Sequence, residues 1–316
     1  MNILEEVKGA KTIGISGHIR PDGDCVGSVM ALYLYLSKAY PDAKIQAMIE
    51  KPAEIFNCIS RVEEIHSDFQ TDVERFDVFV VLDASGDRIG GAQQYFEGAK
   101  KKINIDHHIS NKGSGDVNYI VPEAGSACEL VYEVMEDKSL IDVEIAKALY
   151  IGMVHDTGVF QYSNTSPKTL RIAAELIAYG FDFSKLIDET FYEKTYVQNQ
   201  ILGRALLESI LFMDGRCIVS LVDKKLMNFY HVVPHDLDGI VSQLRYTKGV
   251  DCAIFMYQLD TLEYKVSLRS NGKVDVAKVA SFFGGGGHVK AAGVTMQGTF
   301  HDIVNNLSAQ IAEQME

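Results

Sequence analysis

Aspartate and histidine recur in this chain at spacings that suit capture of a divalent cation. The first group lies between Ser16 and Gly27 and contains His18, Asp22 and Asp24. Pro21 and Gly23 are expected to keep the stretch out of helix, so the three side chains converge on one point instead of spreading along a face. One imidazole and two carboxylates suit a borderline-hard ion such as Mn²⁺; a simple Asp-Gly turn accounts for the same residues when they are taken alone. Asp83 closes the most apolar run in the chain, residues 77–83, and by itself reads equally as a cap or loop residue. The third group is Asp106-His107-His108, where period-2 geometry turns successive side chains to different sides. One histidine can then ligate metal while its neighbour faces a substrate, or either can be a plain loop residue. The fourth is Asp156, followed by Thr157 and Gly158 at the end of a predicted helix. A carboxylate there opposes the helix dipole, and residues that break a local preference are expected at functional sites.

These residues need a scaffold that brings them together. The first ~190 residues alternate short apolar runs with amphipathic segments, which predicts an α/β domain with a mostly parallel, doubly wound sheet. Strands are expected at Thr12–Ser16, 43–49, 76–83 and 102–106, and helices at 26–39, 126–136, 143–154 and 167–179. The last opens on Ser166 and Pro167 and stops at Gly180, a helix start and stop by residue type. Ligands of such sheets bind at the carboxyl ends of the strands, where the first three groups fall. Residues 183–212 read as a more polar helical connection. Strands at 216–222, 253–258 and 263–270, a helix at 274–283, a strand near Val294 and a helix at 300–314 then form a smaller α+β domain. The boundaries are 1–190, a helical linker at 191–214, and 215–316.

Bulk properties narrow the partners. A chain of 316 residues, 47% hydrophobic and 23% charged, is sized for two globular domains. The net charge of −13 opposes binding of long or duplex nucleic acid, whose phosphates need a basic surface. A small phosphate ester, bound where metal ions reverse the charge locally, is compatible. The five scattered cysteines, none in CxxC spacing, fit a reducing cytoplasm. The first residues lack the basic and apolar regions of a signal peptide, and no run is long enough for a membrane span, so no membrane partner is expected.

Together, His-x3-Asp-x-Asp, a strand-terminal Asp, Asp-His-His and a final Asp before Thr-Gly resemble the pattern of the DHH phosphoesterase superfamily across the whole first domain. The resemblance implies two Mn²⁺ ions, with Mg²⁺ or other divalent ions as substitutes. His18, Asp22 and Asp83 would hold one ion, and Asp24, Asp83, His107 and Asp156 the other, with Asp83 bridging. Asp106 would orient its neighbour, and His108 would contact the substrate phosphate and assist the leaving group. Two-metal chemistry activates water and neutralises phosphoryl oxygens for in-line displacement.

A glycine run at 284–287, followed by His288 and ending at Gly293, is the most unusual feature of the second half. Without side chains its backbone N–H groups can close on a phosphate as a nest. Arg269 and Ser270 end a strand upstream, and arginine suits bidentate phosphate recognition. With Asp275 and Val276, these residues are similar to the DHHA1 domain. That implies substrate contacts from Arg269, Ser270, Gly286, Gly287 and His288 across an interdomain cleft. The combination resembles the bacterial nanoRNase/pAp phosphatase group. It implies hydrolysis of oligoribonucleotides of about two to five residues and of 3′-phosphoadenosine 5′-phosphate (pAp). The alternatives are a cyclic di-AMP or pApA phosphodiesterase and, in a different class, a catalytically silent nucleotide-binding protein. Whether the chain works as a monomer or a homodimer stays open.

Overall fold

A computed structural model describes residues 1–315, which divide into two compact units, Met1–Glu193 and 194–315. The first unit begins with a short helix α1 (Ile3–Glu6), followed by β1 (Thr12–Ser16), α2 (Gly23–Ala39), β2 (Lys44–Ala47) and β3 (Val78–Leu82). Next come α3 (Gln93–Gly98), β4 (Lys101–Asp106), β5 (Val117–Ile120), α4 (Ala127–Val134), α5 (Val143–Asp156), α6 (Pro167–Ile177) and α7 (Phe183–Ile187). Its five strands are all parallel in the order β2-β1-β3-β4-β5. The chain winds from β1 outward to β2 and then returns past β1 to β3. The β1/β3 pair is therefore the point where winding reverses and a crevice opens at the carboxyl ends. Every residue of β3 is buried, as expected of a strand covered on both faces.

Two helices carry site residues at facing ends. Helix α2 is buried from Gly23 through Leu36 and packs against α5. Glycines make the approach close: a Cβ on Gly27 would stand 2.5 Å from the Ala148 carbonyl oxygen, and one on Gly152 would stand 2.8 Å from Asp24 Oδ1. The start of α2 is thereby fixed beside the end of α5.

Gly23 does not keep its loop out of helix, because α2 begins there. The Asp22 side chain caps it by accepting from the amides of Asp24 and Cys25. Gly23 is required for another reason, since a Cβ would fall 2.3 Å from Cγ of His155.

The second unit contains α8 (Tyr196–Leu207), β6 (Ile210–Phe212), β7 (Cys217–Val222), α9 (Lys224–Tyr230), α10 (Ile240–Arg245), β8 (Cys252–Asp260) and β9 (Glu263–Ser270). It ends with α11 (Val276–Phe282), β10 (Gly286–His288), β11 (Ala291–Gln297) and α12 (Phe300–Ala312). Its six-stranded sheet runs β10-β11-β9-β8-β7-β6 and is antiparallel except for the β7/β8 pair. One face is covered by α11 and α12, the other by α8, α9 and α10. The stretch 191–214, expected as a connection, contains α8 and β6; Ile201 and Ala205 of α8 are buried in this unit's core. Helices α9 and α10 were not anticipated. No helix among the described residues is long and apolar enough to cross a membrane.

Candidate metal centre

The carboxyl ends of β1, β3 and β4 bring His18, Asp83 and the pair His107-His108 to one place, and the facing helix ends add Asp22, Asp24 and Asp156. The donor atoms fall into overlapping groups: His18, Asp22 and Asp83; Asp24, His107 and Asp156; and Asp83 with Asp106, His107 and His108. Nε2 of His18 lies 3.5 Å from Asp22 Oδ1 and 3.3 Å from Asp83 Oδ2. Nε2 of His107 lies 3.5 Å from Asp83 Oδ1, 3.7 Å from Asp24 Oδ2 and 3.6 Å from Asp156 Oδ2. These separations are long for hydrogen bonds. They lie within or a few tenths of an ångström beyond the roughly 3.0–3.5 Å between donors that share one ion at about 2.1 Å.

Asp83 is the residue common to both histidines. It is 3% exposed, and its Oδ1 has no hydrogen-bond partner. An unpartnered buried carboxylate oxygen is costly and calls for an explanation; a cation beside it supplies one. Its backbone is also held in the left-handed region at φ 55°, which aspartate tolerates and most residues do not. Such positions cluster at ligand sites, where the surroundings enforce them.

The electrostatics describe a centre short of positive charge. Burial works against protonation of His18, yet Asp22 and Asp83 hold it cationic up to about 11. His107 is likewise held up to about 10, against burial, by Asp83, Asp24 and Asp156. Burial and then the charges of Asp83 and Asp156 push the Asp24 carboxyl far above the usual range. Burial and Asp83 push Asp156 up to about 6, with His107 pulling the other way. Burial would raise Asp22 too, but His18 outweighs it and holds that carboxyl low. Four carboxylates thus crowd around two imidazoles that must take up protons. Divalent cations in their place would neutralise the same acids, so the donor set fits them.

The ligand atoms are aimed by neighbours. Nδ1 of His18 faces the Ile19 carbonyl oxygen at 2.8 Å, and Nδ1 of His107 faces that of Ala124 at 3.3 Å. A ring donating Nδ1–H to a carbonyl presents an unprotonated Nε2 to a metal. Asp106 Oδ1 accepts from the amides of His107 and His108 and meets Nδ1 of His108 at 2.8 Å, while Asn111 donates to its Oδ2 at 2.6 Å. His108 is held above its ordinary value, first by that hydrogen bond to Asp106. Asp24 receives the amides of Ala127 (2.6 Å, Oδ2) and Cys128 (2.9 Å, Oδ1) at the start of α4. A helix N-terminus favours a negative charge there.

In the second unit, register aligns His288 with Ala291 and Ala291 with Arg269 across three strands. Directly opposed residues share a face, so the two basic side chains flank a small alanine. The glycine run differs from the expected nest, because Gly286–His288 pair with β11 as a hairpin strand. Close packing requires the glycines: a Cβ on Gly285 would stand 2.4 Å from the Gly293 oxygen, and one on Gly287 2.4 Å from the Ala291 oxygen. Ser270 is fully buried, and its Oγ accepts from the amides of Gly272 and Val274.

Residues 12–153 match the DHH family, N-terminal domain, and residues 215–315 the DHHA1 domain. The bifunctional oligoribonuclease and PAP phosphatase NrnA of Thermus thermophilus is 31% identical over 305 residues, covering 94% of this chain and 87% of that protein. The chain belongs to the DHH family. The protein of the same name from Bacillus subtilis is 29% identical over 90% of this chain and 89% of its own length. A crystal structure described as an exopolyphosphatase-related protein from Bacteroides fragilis superposes with a TM-score of 0.89 at 26% identity, covering 99% of this chain and 96% of that one. As a DHH phosphoesterase this protein is an enzyme that depends on divalent metal, and the Asp/His cluster is the centre equipped to hold it.

Several residues at the DHH centre escaped the reading of the sequence. Asn104 is fully buried in β4 and bonds the carbonyls of Val81 and Ala84, bracing the loop that carries Asp83. An amide between the two buried isoleucines of β4 was the signal for it. Asn164 donates to Asp156 Oδ2 at 3.2 Å and to the Gly125 carbonyl at 2.8 Å. Asn111 and Asn164 lie in loops, where no periodicity singles them out.

Proposed function

We propose that this DHH phosphoesterase binds two Mn²⁺ ions and hydrolyses short oligoribonucleotides and pAp. The observation that carries the reading is the Asp83 carboxylate, whose two oxygens face different imidazoles, Oδ2 toward His18 and Oδ1 toward His107. His18, Asp22 and Asp83 hold one ion in this reading; Asp24, Asp83, His107 and Asp156 hold the other. Ions bound there would supply Lewis-acid activation of a water and neutralisation of phosphoryl oxygens.

The chain's own groups supply the rest. Asp106 fixes His108 through Nδ1 and favours the protonated ring, so an Nε2–H can bond a phosphate oxygen and pass a proton to the leaving oxygen. Arg269 and His288 grip the substrate's second phosphate or base, a role for which an arginine and an imidazole flanking Ala291 are suited. Ser270 and the glycine hairpin shape the backbone beside them. The substrate choice follows the two bifunctional relatives and agrees with a net charge of −13, which disfavours long nucleic acid.

Chromatography of products from a short RNA, pAp, pApA and cyclic di-AMP with Mn²⁺ tests the assignment. Cleavage of the RNA to mononucleotides and release of phosphate from pAp are expected. Turnover of the cyclic dinucleotide alone would move the protein to the cyclic di-AMP phosphodiesterases, and binding without turnover of any substrate would make it a nucleotide sensor.

A further inference from the structure

One buried acid lies outside the ligand set yet is tied to half of it. Glu129, in the first turn of α4, is 1% exposed. Its Oε2 accepts from the Gly125 amide at 3.1 Å and from Thr169 Oγ1 at 2.6 Å, while Oε1 pairs with Lys168 Nζ at 3.2 Å. A buried carboxylate with three donors is a satisfied, charge-assisted anchor. It fastens the start of α4 to the start of α6. The packing around that anchor is tight, since a Cβ on Gly125 would meet Thr169 Oγ1 at 2.9 Å and Glu129 Oε2 at 3.1 Å.

The segment it fastens, residues 124–128, bonds two ligands directly and reaches a third through Asn164. The Ala124 carbonyl faces Nδ1 of His107. The Gly125 carbonyl accepts from Asn164, which also bonds Asp156. The Ala127 and Cys128 amides hold both oxygens of Asp24. Asp24, His107 and Asp156 are one complete donor group. The other group, His18, Asp22 and Asp83, has no hydrogen bond to this segment among the described contacts; its braces are the Ile19 carbonyl and the amides that Asp22 caps.

We propose that Glu129, clamped by Thr169 and Lys168, is a positioning residue for one metal site only, the one formed by Asp24, His107 and Asp156. The inference rests on the two-ion reading above. Neighbours that orient ligands in this way typically govern metal affinity by about 10–100-fold. Losing the clamp frees the 124–128 segment and, through it, Asp24, His107 and Asp156, three of that site's four ligands; the shared Asp83 is not tied to the segment. The His18 site keeps its own braces.

Calorimetric titration of the metal-free protein with Mn²⁺ separates these outcomes. Wild type is expected to bind two ions, and Glu129→Ala to bind one of them about 10–100-fold more weakly with the other unchanged. Glu129→Gln keeps an oxygen for Gly125 and Thr169 and should recover most of the affinity. Excess Mn²⁺ should restore turnover to Glu129→Ala, which a general loss of folding would not allow. Equal weakening of both sites, or of neither, overturns the proposal.

A single ion in wild type would instead overturn the two-ion reading. The clamp is then decided by amide hydrogen exchange at Ala127 and Cys128 in the metal-free protein. Faster exchange in Glu129→Ala supports it, and unchanged exchange overturns it. Thr169→Val, which removes one donor to the carboxylate, gives the same comparison in milder form if the alanine variant does not fold.

Discussion

Nδ1 of His108 and Oδ1 of Asp106 lie 2.8 Å apart, so this imidazole has only Nε2 left to offer a substrate. The carboxylate is the first cause of the raised histidine value, with the Asp83 charge adding to it. A raised value extends the protonated form to higher pH. Activity that needs this proton is therefore present at low pH and lost as pH rises through the folded value. Replacing Asp106 with Asn removes the stabilising charge and should move the alkaline limb of the kcat profile toward lower pH. His108→Ala should abolish that limb and lower kcat by about 10²–10⁴-fold, the usual share of a general acid. A kcat profile whose alkaline limb stays in place in Asp106→Asn would remove His108 from the proton transfer.

Asp83 is the residue whose loss should cost most. The imidazoles of His18 and His107 face its carboxylate, and its Oδ1 has no hydrogen-bond partner. Asp83→Ala should reduce bound Mn²⁺ below the wild-type ratio and cut kcat/KM by about 10³-fold or more, beyond the loss of a single electrostatic stabiliser. Metal analysis of the purified variant beside its turnover checks this. Wild-type turnover in that variant would defeat the assignment of the centre.

The strand-end Asp and His residues were legible as candidate ligands because they put charged groups in places where packing wants apolar ones. Asp83 after a wholly buried strand and Asp106-His107-His108 after β4 are of this kind, and so is Asp156 against the dipole of α5. The parallel sheet followed from alternation of apolar runs and amphipathic segments. What holds the ligands was not legible. The amides of Ala127 and Cys128 reach Asp24 across more than a hundred residues, and backbone donors carry no sequence signature. Asp22, read as a candidate metal ligand with a plain turn as its alternative, is also a helix cap, and an Asp-Gly pair does not tell turn from cap. The β10 hairpin was hidden for a similar reason: glycines that permit a phosphate nest equally permit two backbones to pack closely.

Gly152 links helix packing to the metal centre. An added Cβ would lie 2.2 Å from Cys128 Sγ and 2.8 Å from Asp24 Oδ1, so both neighbours must shift. Gly152→Ala should destabilise the fold by about 1–3 kcal/mol through overpacking and should also weaken Mn²⁺ binding by displacing Asp24. Gly27→Ala offers the contrast, because its Cβ would meet the Ala148 carbonyl at 2.5 Å without reaching a ligand. Urea unfolding should show both losses, and metal titration only the first. Equal metal affinity in the two variants would separate the α2/α5 contact from the site.

Arg269 and His288 test a different step, since neither belongs to the metal cluster. Their alignment with Ala291 puts two basic groups on one face of the second sheet. Contacts made equally in ground state and transition state change KM and leave kcat alone. Loss of one hydrogen bond to a charged phosphate costs about 1.5–3 kcal/mol, which corresponds to a KM rise of roughly 10–100-fold for Arg269→Ala. His288→Ala should act in the same direction. Both variants should keep wild-type Mn²⁺ content, because their changes lie in a separate unit from all the Asp and His donors. A fall in kcat at unchanged KM would mean that the arginine acts on the reacting phosphate itself, and the division of labour between metal cluster and basic pair would have to be redrawn.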